Sequence, residues 1–261
     1  MKTSTYLFAT LLVMSTHAAE TQPVLSAQDL AARLSTMEAG NFQVRAKMEI
    51  TPAGGAAKST FQLQIKIRRT QAATDAVYQI LWPKERNGES VLLKQPTDGT
   101  ASGAVFTLPD TLTQLSAGQM KQALFGSDLS YEDVTINPFA WNQQAIIGEG
   151  IVDRVTCQIL ESKPGKGTRS SYSAVRTWVD PRRLVALRIE KYATSGAIIR
   201  RIETTRVTTD DDGRHVPSSI RVTRPGQGSS TELEGSRIRR DIKYADSAFM
   251  PSGIRNSTSP K

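Results

Sequence analysis

The chain has 261 residues, of which 38% are hydrophobic and 22% are charged, and its formal net charge is +8. This composition is typical of a folded globular protein and excludes both a disordered chain and one that is mostly embedded in a bilayer. The basic balance favours anionic partners, and for an exported protein an anionic membrane surface is a better match than nucleic acid.

The N-terminal residues predict export across a membrane. Lys2 supplies a positive charge, residues 6–14 form a short apolar run, and the small residues Ala18 and Ala19 follow. This order of features is typical of a secretory signal peptide, so we predict cleavage near Ala18 or Ala19, with residues 1–19 removed. The apolar run is shorter than the ~20 residues that a transmembrane helix needs. We therefore expect an exported, soluble protein.

The first element after the signal peptide is a predicted helix over residues 26–40. Its apolar residues Leu30, Leu34 and Met37 recur at helical spacing and share one face. Ser26 is suited to cap the N-terminal end of this helix. A second helix is predicted over residues 116–125, with Met120, Ala123 and Leu124 facing inward.

Between and after these helices the period changes to that of β-strands. Residues 42–50 and 61–67 alternate apolar and polar side chains, and nine further strand candidates follow, separated by turns rich in Gly, Pro and Asp. About 11 antiparallel strands predict a mainly β protein with one large sheet, which must curve because such a sheet cannot stay flat. No linker divides the chain, so we predict a single domain over residues 20–250 and a flexible tail over residues 251–261.

The residues that catalytic and metal sites most often use are scarce. After the signal peptide the chain has one histidine, His215, and one cysteine, Cys157. A Ser-His-Asp triad would depend on His215 alone, and the two residues cannot form a zinc site. Cys157 lies in a strand-like run, where we expect a small buried hydrophobic residue. We predict no catalytic residues, no metal and no cofactor, and hence no enzyme.

Residues 126–134, with the sequence GSDLSYEDV, are the strongest remaining candidate for an active site. Two interpretations are open: a catalytic segment, or a turn that fixes the scaffold. The serines lack a histidine partner, and the adjacent acids Glu132 and Asp133 would point in opposite directions on an extended chain. Gly126 can adopt the positive φ that a turn requires, and Asp128 can bond to backbone amides. The structural interpretation is favoured.

The later strands carry many arginines, which also allow two interpretations. They form either a surface for anionic headgroups or ordinary cross-strand pairs with the interleaved glutamates. Interleaving favours the pairs, although transient contact with a membrane surface stays open. Tyr192 is the one aromatic residue among these strands, and base stacking needs more, so we expect no nucleic-acid binding.

The order of these elements resembles the outer-membrane lipoprotein-sorting protein family, whose members have the half-barrel fold of the LolA and LolB carriers. The resemblance covers roughly residues 42–249. It is strongest at Gly126-Ser127-Asp128 with Tyr131-Glu132-Asp133, and from Trp178-Val179-Asp180-Pro181 to the Val216-Pro217 strand. It implies a non-enzymatic periplasmic carrier with a curved sheet and a few helices over its concave side. It also implies partners: lipid or lipoprotein acyl chains, and an inner-membrane transporter of the resistance-nodulation-division type.

Strand phase predicts which apolar side chains face the concavity of such a carrier. The candidates for binding an acyl chain are Phe42, Val44, Met48, Phe61, Leu63 and Ile65, with Ile80, Trp82, Val91 and Leu93 as additions. The sequence leaves open whether they line a cavity or fill a closed core, because side chains alone can fill a small barrel. Two alternative functions stay open as well: a ligand-free envelope scaffold working with such a transporter, and a hydrolase that uses loop acids and serines.

Overall fold

The computed structural model describes residues 25–97, 99–236 and 238–255. The predicted signal peptide, residues 1–19, and residues 256–261 of the predicted tail lie outside the described residues. None of the helices within the described part of the chain has the length and apolarity needed to span a bilayer.

Helix α1 spans Ala27–Glu38, as its apolar spacing predicted. Ser26 caps it, since its Oγ accepts a hydrogen bond from the backbone N–H of Asp29 at 3.1 Å. Leu30 and Leu34 lie on its buried face. The first strand follows almost at once.

One 14-stranded antiparallel sheet makes up most of the molecule, which confirms the predicted mainly β fold with a large curved sheet. The strands are β1 (Gly40–Thr51), β2 (Ser59–Arg69), β3 (Ala73–Trp82), β4 (Ser90–Pro96), β5 (Ser102–Thr107), β6 (Thr111–Leu115), β7 (Gln143–Val152), β8 (Val155–Lys163), β9 (Ala174–Asp180), β10 (Val185–Tyr192), β11 (Ile198–Thr209), β12 (His215–Thr223), β13 (Ser230–Gly235) and β14 (Arg239–Arg240). Their order is β6-β5-β4-β3-β2-β1-β13-β12-β11-β10-β9-β8-β7, and β14 pairs with β1. The sheet is open, as in a half-barrel.

The sequence predicted fewer strands because two of them lie at the sheet edges. In β6 and β7 most side chains are exposed or half-buried, so neither strand shows the clean apolar alternation of a strand with one buried face. The third extra strand arises because the predicted strand over residues 230–242 is divided into β13 and β14.

Residues 116–142, which we call the crossover segment, connect the two edges. Strands β6 and β7 are consecutive in the chain but lie at opposite ends of the sheet order, so the segment must cross one face. The predicted helix over residues 116–125 is instead two short 3-10 turns, Ala117–Lys121 and Leu124–Gly126. Phe125 and Gly126 adopt positive φ angles of 52° and 84°, which end any helix there.

The crossover segment and α1 together cover one face of the sheet, which we call the inner face. Leu124, Leu129 and Tyr131 of the crossover segment belong to the main core cluster, together with alternate residues of β1 to β4. Helix α1 packs at the other end, against Leu160 and Val179. The predicted cover of the concave side is therefore α1 plus an irregular segment.

The C-terminal residues pack on the outer face. Phe249 and Ile254 are fully buried beside Leu92 and Phe106. Ile254 lies in a short helix, α2, over Pro251–Arg255. The prediction of a flexible tail is thus wrong for residues 251–255, because an apolar side chain here finds an uncovered part of the sheet.

Charged side chains on the rest of the outer face pair across strands. The nitrogen–oxygen distances are 3.0 Å for Arg188 and Glu203, 2.7 Å for Arg221 and Glu232, 2.9 Å for Arg201 and Glu190, and 2.9 Å for Arg206 and Glu234. The interpretation of the late arginines as cross-strand partners is confirmed for these four, whereas Arg200 and Arg224 pair with buried acids of the crossover segment. Cys157 is fully buried as predicted. Membrane contact through basic residues stays a prediction.

Candidate functional site

The segment GSDLSYEDV lies in the crossover, and its acids fix the crossover to the inner face. Asp128 is 1% exposed and accepts hydrogen bonds from Arg224 Nε at 2.9 Å, Ser229 Oγ at 2.6 Å and Thr231 Oγ1 at 2.9 Å. These partners lie on the β12–β13 hairpin and its flanks. Asp128 therefore binds distant side chains, whereas the sequence had predicted local backbone amides.

Asp133 makes the most deeply buried charge cluster of the described residues. Its carboxylate accepts hydrogen bonds from Lys191 Nζ at 2.8 Å, Tyr172 Oη at 2.6 Å and Ser130 Oγ at 2.7 Å, and it also pairs with Arg200. Burial alone would raise the pKa of Asp133, but the positive charges of Lys191 and Arg200 hold this pKa well below its usual range. The carboxylate is therefore ionised at neutral pH and ties the crossover to β10 and β11.

Glu132 lies in a turn and not on an extended strand, so the strand argument for opposite directions does not apply to it, but it binds a different set of partners from Asp133. Its Oε1 accepts hydrogen bonds from the Ser170 hydroxyl and the Ser171 backbone N–H, each at 2.8 Å. The two acids thus fix two different parts of the chain to the crossover segment. His215, the one histidine in the described part of the chain, pairs with Thr209 on β11 and takes no part in this network. These contacts hold the crossover segment against the rest of the fold.

Nine of the ten residues predicted to bind an acyl chain lie in a packed core rather than on an open surface. Nine belong to or pack against the main cluster beneath the crossover segment, and among them Met48, Leu63 and Ile80 are 0% exposed. The full set of nine is Phe42, Val44, Met48, Phe61, Leu63, Ile65, Ile80, Val91 and Leu93. Contact between these residues and a ligand stays a prediction.

Trp82 is the exception, and its predicted inward orientation is wrong. The side chain is 52% exposed, and it pairs with Gln62, which is exposed as well. The cause is an irregularity in the pairing of β2 with β3. Leu63 faces Ile80 while its neighbour Gln62 faces Trp82, so Leu81 is an extra residue that shifts the alternation. A β-bulge of this kind reverses the face of every later residue in the strand.

An open cleft of about 700 Å³ lies beside this core, under α1. Five stretches that are distant in sequence line it: α1, the β2–β3 turn, the end of β4, residues 135–142 and residues 168–170. Its apolar lining residues are Ala32, Ala39, Ala73, Pro96, Ile136, Phe139, Ala140 and Trp141. None of the ten predicted residues lines this cleft.

Among the cleft-lining residues that the structure describes, two are charged, Arg69 and Arg169. Arg69 is largely buried, forms an ion pair with Glu38, and donates from Nε to Thr74 Oγ1 at 3.2 Å. Arg169 is exposed and makes no ion pair or hydrogen bond with the residues that the structure describes. The lining residues therefore present one neutralised and one unneutralised positive charge.

Comparison with known proteins shows which family the chain belongs to. The model of a family described as "-like: Uncharacterized protein" matches residues 74–256, which is most of the chain. The chain belongs to this family. No curated protein matches it.

Several solved structures share the fold of this chain. A DUF1329 family protein from Desulfovibrio piger is 24% identical, with a TM-score of 0.79, over 87% of this chain and 97% of its own. An outer-membrane lipoprotein-sorting protein domain from Vibrio parahaemolyticus is 18% identical, with a TM-score of 0.76, over 87% and 97%. A LolA superfamily protein from Nitrosomonas europaea is 18% identical, with a TM-score of 0.70, over 87% and 98%. The LolA-like fold predicted from the sequence is confirmed.

The LolA-like sheet brings the cleft residues together in a way that sequence reasoning missed. Between β8 and β9 the chain makes a turn in which Thr168 N–H donates to Gly165 O at 3.1 Å. Nothing local indicates that Arg169, just after that turn, lies beside α1. In the described part of the chain no group of three His, Cys, Asp or Glu side chains is arranged to hold a metal ion.

Proposed function

We propose that this protein is a non-enzymatic periplasmic carrier of lipid or of lipoprotein acyl chains, and that the cleft under α1 holds the chain. The observation that carries the proposal is the cleft itself, about 700 Å³ in volume and lined on one side by apolar residues. Its volume lies within the range of roughly 300–1,000 Å³ that is usual for small-molecule sites.

The lining suits a molecule that is apolar along most of its length. Ile136, Phe139 and Trp141 are large apolar residues of the lining, and Ala32 and Ala73 leave room because their side chains are small. An acyl chain exposed to water costs free energy in proportion to its apolar area, so a carrier in an aqueous compartment must cover it. The apolar residues of the cleft lining supply part of such a cover.

The fold supports the same proposal. The similar domain from Vibrio parahaemolyticus is described as lipoprotein-sorting, which makes lipoprotein acyl chains or related lipids the natural class of ligand. Delivery from an inner-membrane transporter and transient contact of basic residues with a membrane surface belong to the proposal. Contact of the nine predicted residues that lie in the core with a ligand would further require the crossover segment to leave the inner face.

A variant that fills the cleft tests this proposal. Ala32 is exposed on α1 and lines the cleft, so Ala32→Trp inserts a large side chain into it without entering the core. Ala197 is exposed in the β10–β11 turn, outside the cleft lining, and Ala197→Trp is the matched control. We expect wild type and the control to bind a fluorescent fatty acid, and Ala32→Trp to lose at least about ten-fold in affinity, equivalent to ~1.4 kcal/mol.

Native mass spectrometry of the protein purified from its own envelope completes the test. We expect a bound lipid in wild type and its loss in Ala32→Trp. A wild-type protein that is always empty and that also fails to bind the fluorescent fatty acid would contradict the proposal and favour the ligand-free scaffold.

A further inference from the structure

We propose that the cleft selects ligands with an anionic head group, a carboxylate or a phosphate, and that Arg169 binds that group. This inference rests on the proposed function and narrows its ligand class. It favours fatty acids and acidic phospholipids over the acylated cysteine of a lipoprotein, whose ester, amide and thioether links carry no charge.

The charge of the lining is the first observation. Of the lining residues that the structure describes, Arg69 and Arg169 are charged, and neither Asp nor Glu is among them. Glu38 pairs with Arg69 from just outside the lining, so that charge is already neutralised. Arg169 keeps its full positive charge toward the cleft.

The second observation is that Arg169 is held in place on its C-terminal side. The next two residues, Ser170 and Ser171, donate hydrogen bonds to Glu132, whose side chain is buried in the crossover segment. A tight turn closed by Thr168 N–H and Gly165 O lies on the other side. The backbone of Arg169 is therefore fixed at the cleft by a buried carboxylate, while its guanidinium is left without a partner among the described residues.

The third observation is the distribution of polarity within the cleft. The crossover segment supplies the large apolar residues Ile136, Phe139 and Trp141, and the β2–β3 turn and the end of β4 supply hydroxyl and amide groups from Thr70, Gln95 and Thr97. A guanidinium group binds carboxylate and phosphate oxygens with two parallel hydrogen bonds. An amphipathic anion can thus place its apolar chain against Ile136, Phe139 and Trp141 and its head group at Arg169.

Affinity measurements with charged and neutral lipids of equal chain length test the inference. The probes are a fatty acid, a lysophosphatidic acid and the corresponding fatty alcohol, each displacing a fluorescent fatty acid. Arg169→Gln removes the charge, and Lys166→Gln, in the same loop and exposed but outside the lining, is the matched control. We expect Arg169→Gln to lose about ten-fold in affinity for the two anions and to bind the alcohol unchanged, with Lys166→Gln like wild type.

The outcomes separate this inference from the proposed function. If wild type binds the alcohol as tightly as the acids, or if both variants lose affinity equally, Arg169 does not recognise a head group although the carrier function stands. If wild type binds none of the three lipids, the proposed function itself fails. A stronger effect on the lysophosphatidic acid than on the fatty acid identifies phosphate as the preferred head group, and the reverse identifies carboxylate.

Discussion

The two parts of the inner face differ in what covers them. Over β1 to β4 the crossover segment inserts Leu124, Leu129 and Tyr131 among the apolar side chains of the sheet, and the space is filled. Under α1 the facing residues include Ala32 and Ala73, and a cleft of about 700 Å³ remains. The covering side chains thus fill the space over one part of the inner face and leave a cleft at the other.

The buried acids explain why the filled part stays closed. Asp128 and Asp133 fix the crossover segment at two points, the first to the β12–β13 hairpin and the second to β10 and β11. Each acid is fully supplied with donors, and both are almost completely buried. Exposed pairs on the outer face, such as Arg206 with Glu234, have the same chemistry but are surrounded by water and contribute little to stability.

Removing the charge of Asp133 is expected to have the largest effect on stability. Asp133→Asn keeps the shape but leaves Lys191 and Arg200 buried without their counter-charge, which typically costs about 3–5 kcal/mol. Urea unfolding measures this loss. Glu234→Gln, which breaks an exposed pair, is the control and should cost no more than ~1 kcal/mol. Equal losses in the two variants would mean that the crossover is not held by its buried charge.

Enlarging one alanine in the filled core and one at the cleft tests directly whether the two places differ in free space. Ala76 is 0% exposed in the filled core, so Ala76→Leu should cost about 1–3 kcal/mol through overpacking. Ala32→Leu adds the same atoms at the cleft and should change the free energy of unfolding by less than ~0.5 kcal/mol. Thermal or urea unfolding of both variants checks this. A comparable loss at Ala32 would show that the cleft is not open in solution.

The fold could be predicted from the sequence because its information is local. Alternation of apolar and polar residues in β1 and β2, and helical spacing in α1, each require only a few neighbouring residues. The orientation of Trp82 could not, since one inserted residue, Leu81, reverses the alternation without any change in composition. The cleft could not be predicted either, because five stretches far apart in the sequence form it and Arg169 has no motif around it.

The pH dependence of stability offers a smaller but more specific test of the buried anchor. Because the folded protein holds the pKa of Asp133 well below its unfolded value of about 4, the pairing contributes fully above pH ~4 and is lost as the pH falls toward the folded pKa. The free energies of unfolding of wild type and Asp133→Asn should therefore converge below pH ~4, by at most about 1.4 kcal/mol per pH unit. Urea unfolding of both proteins, at pH values about one unit apart between pH 3 and pH 7, measures this convergence. A constant difference throughout that range would show that Asp133 stabilises the crossover by its shape and not by its charge.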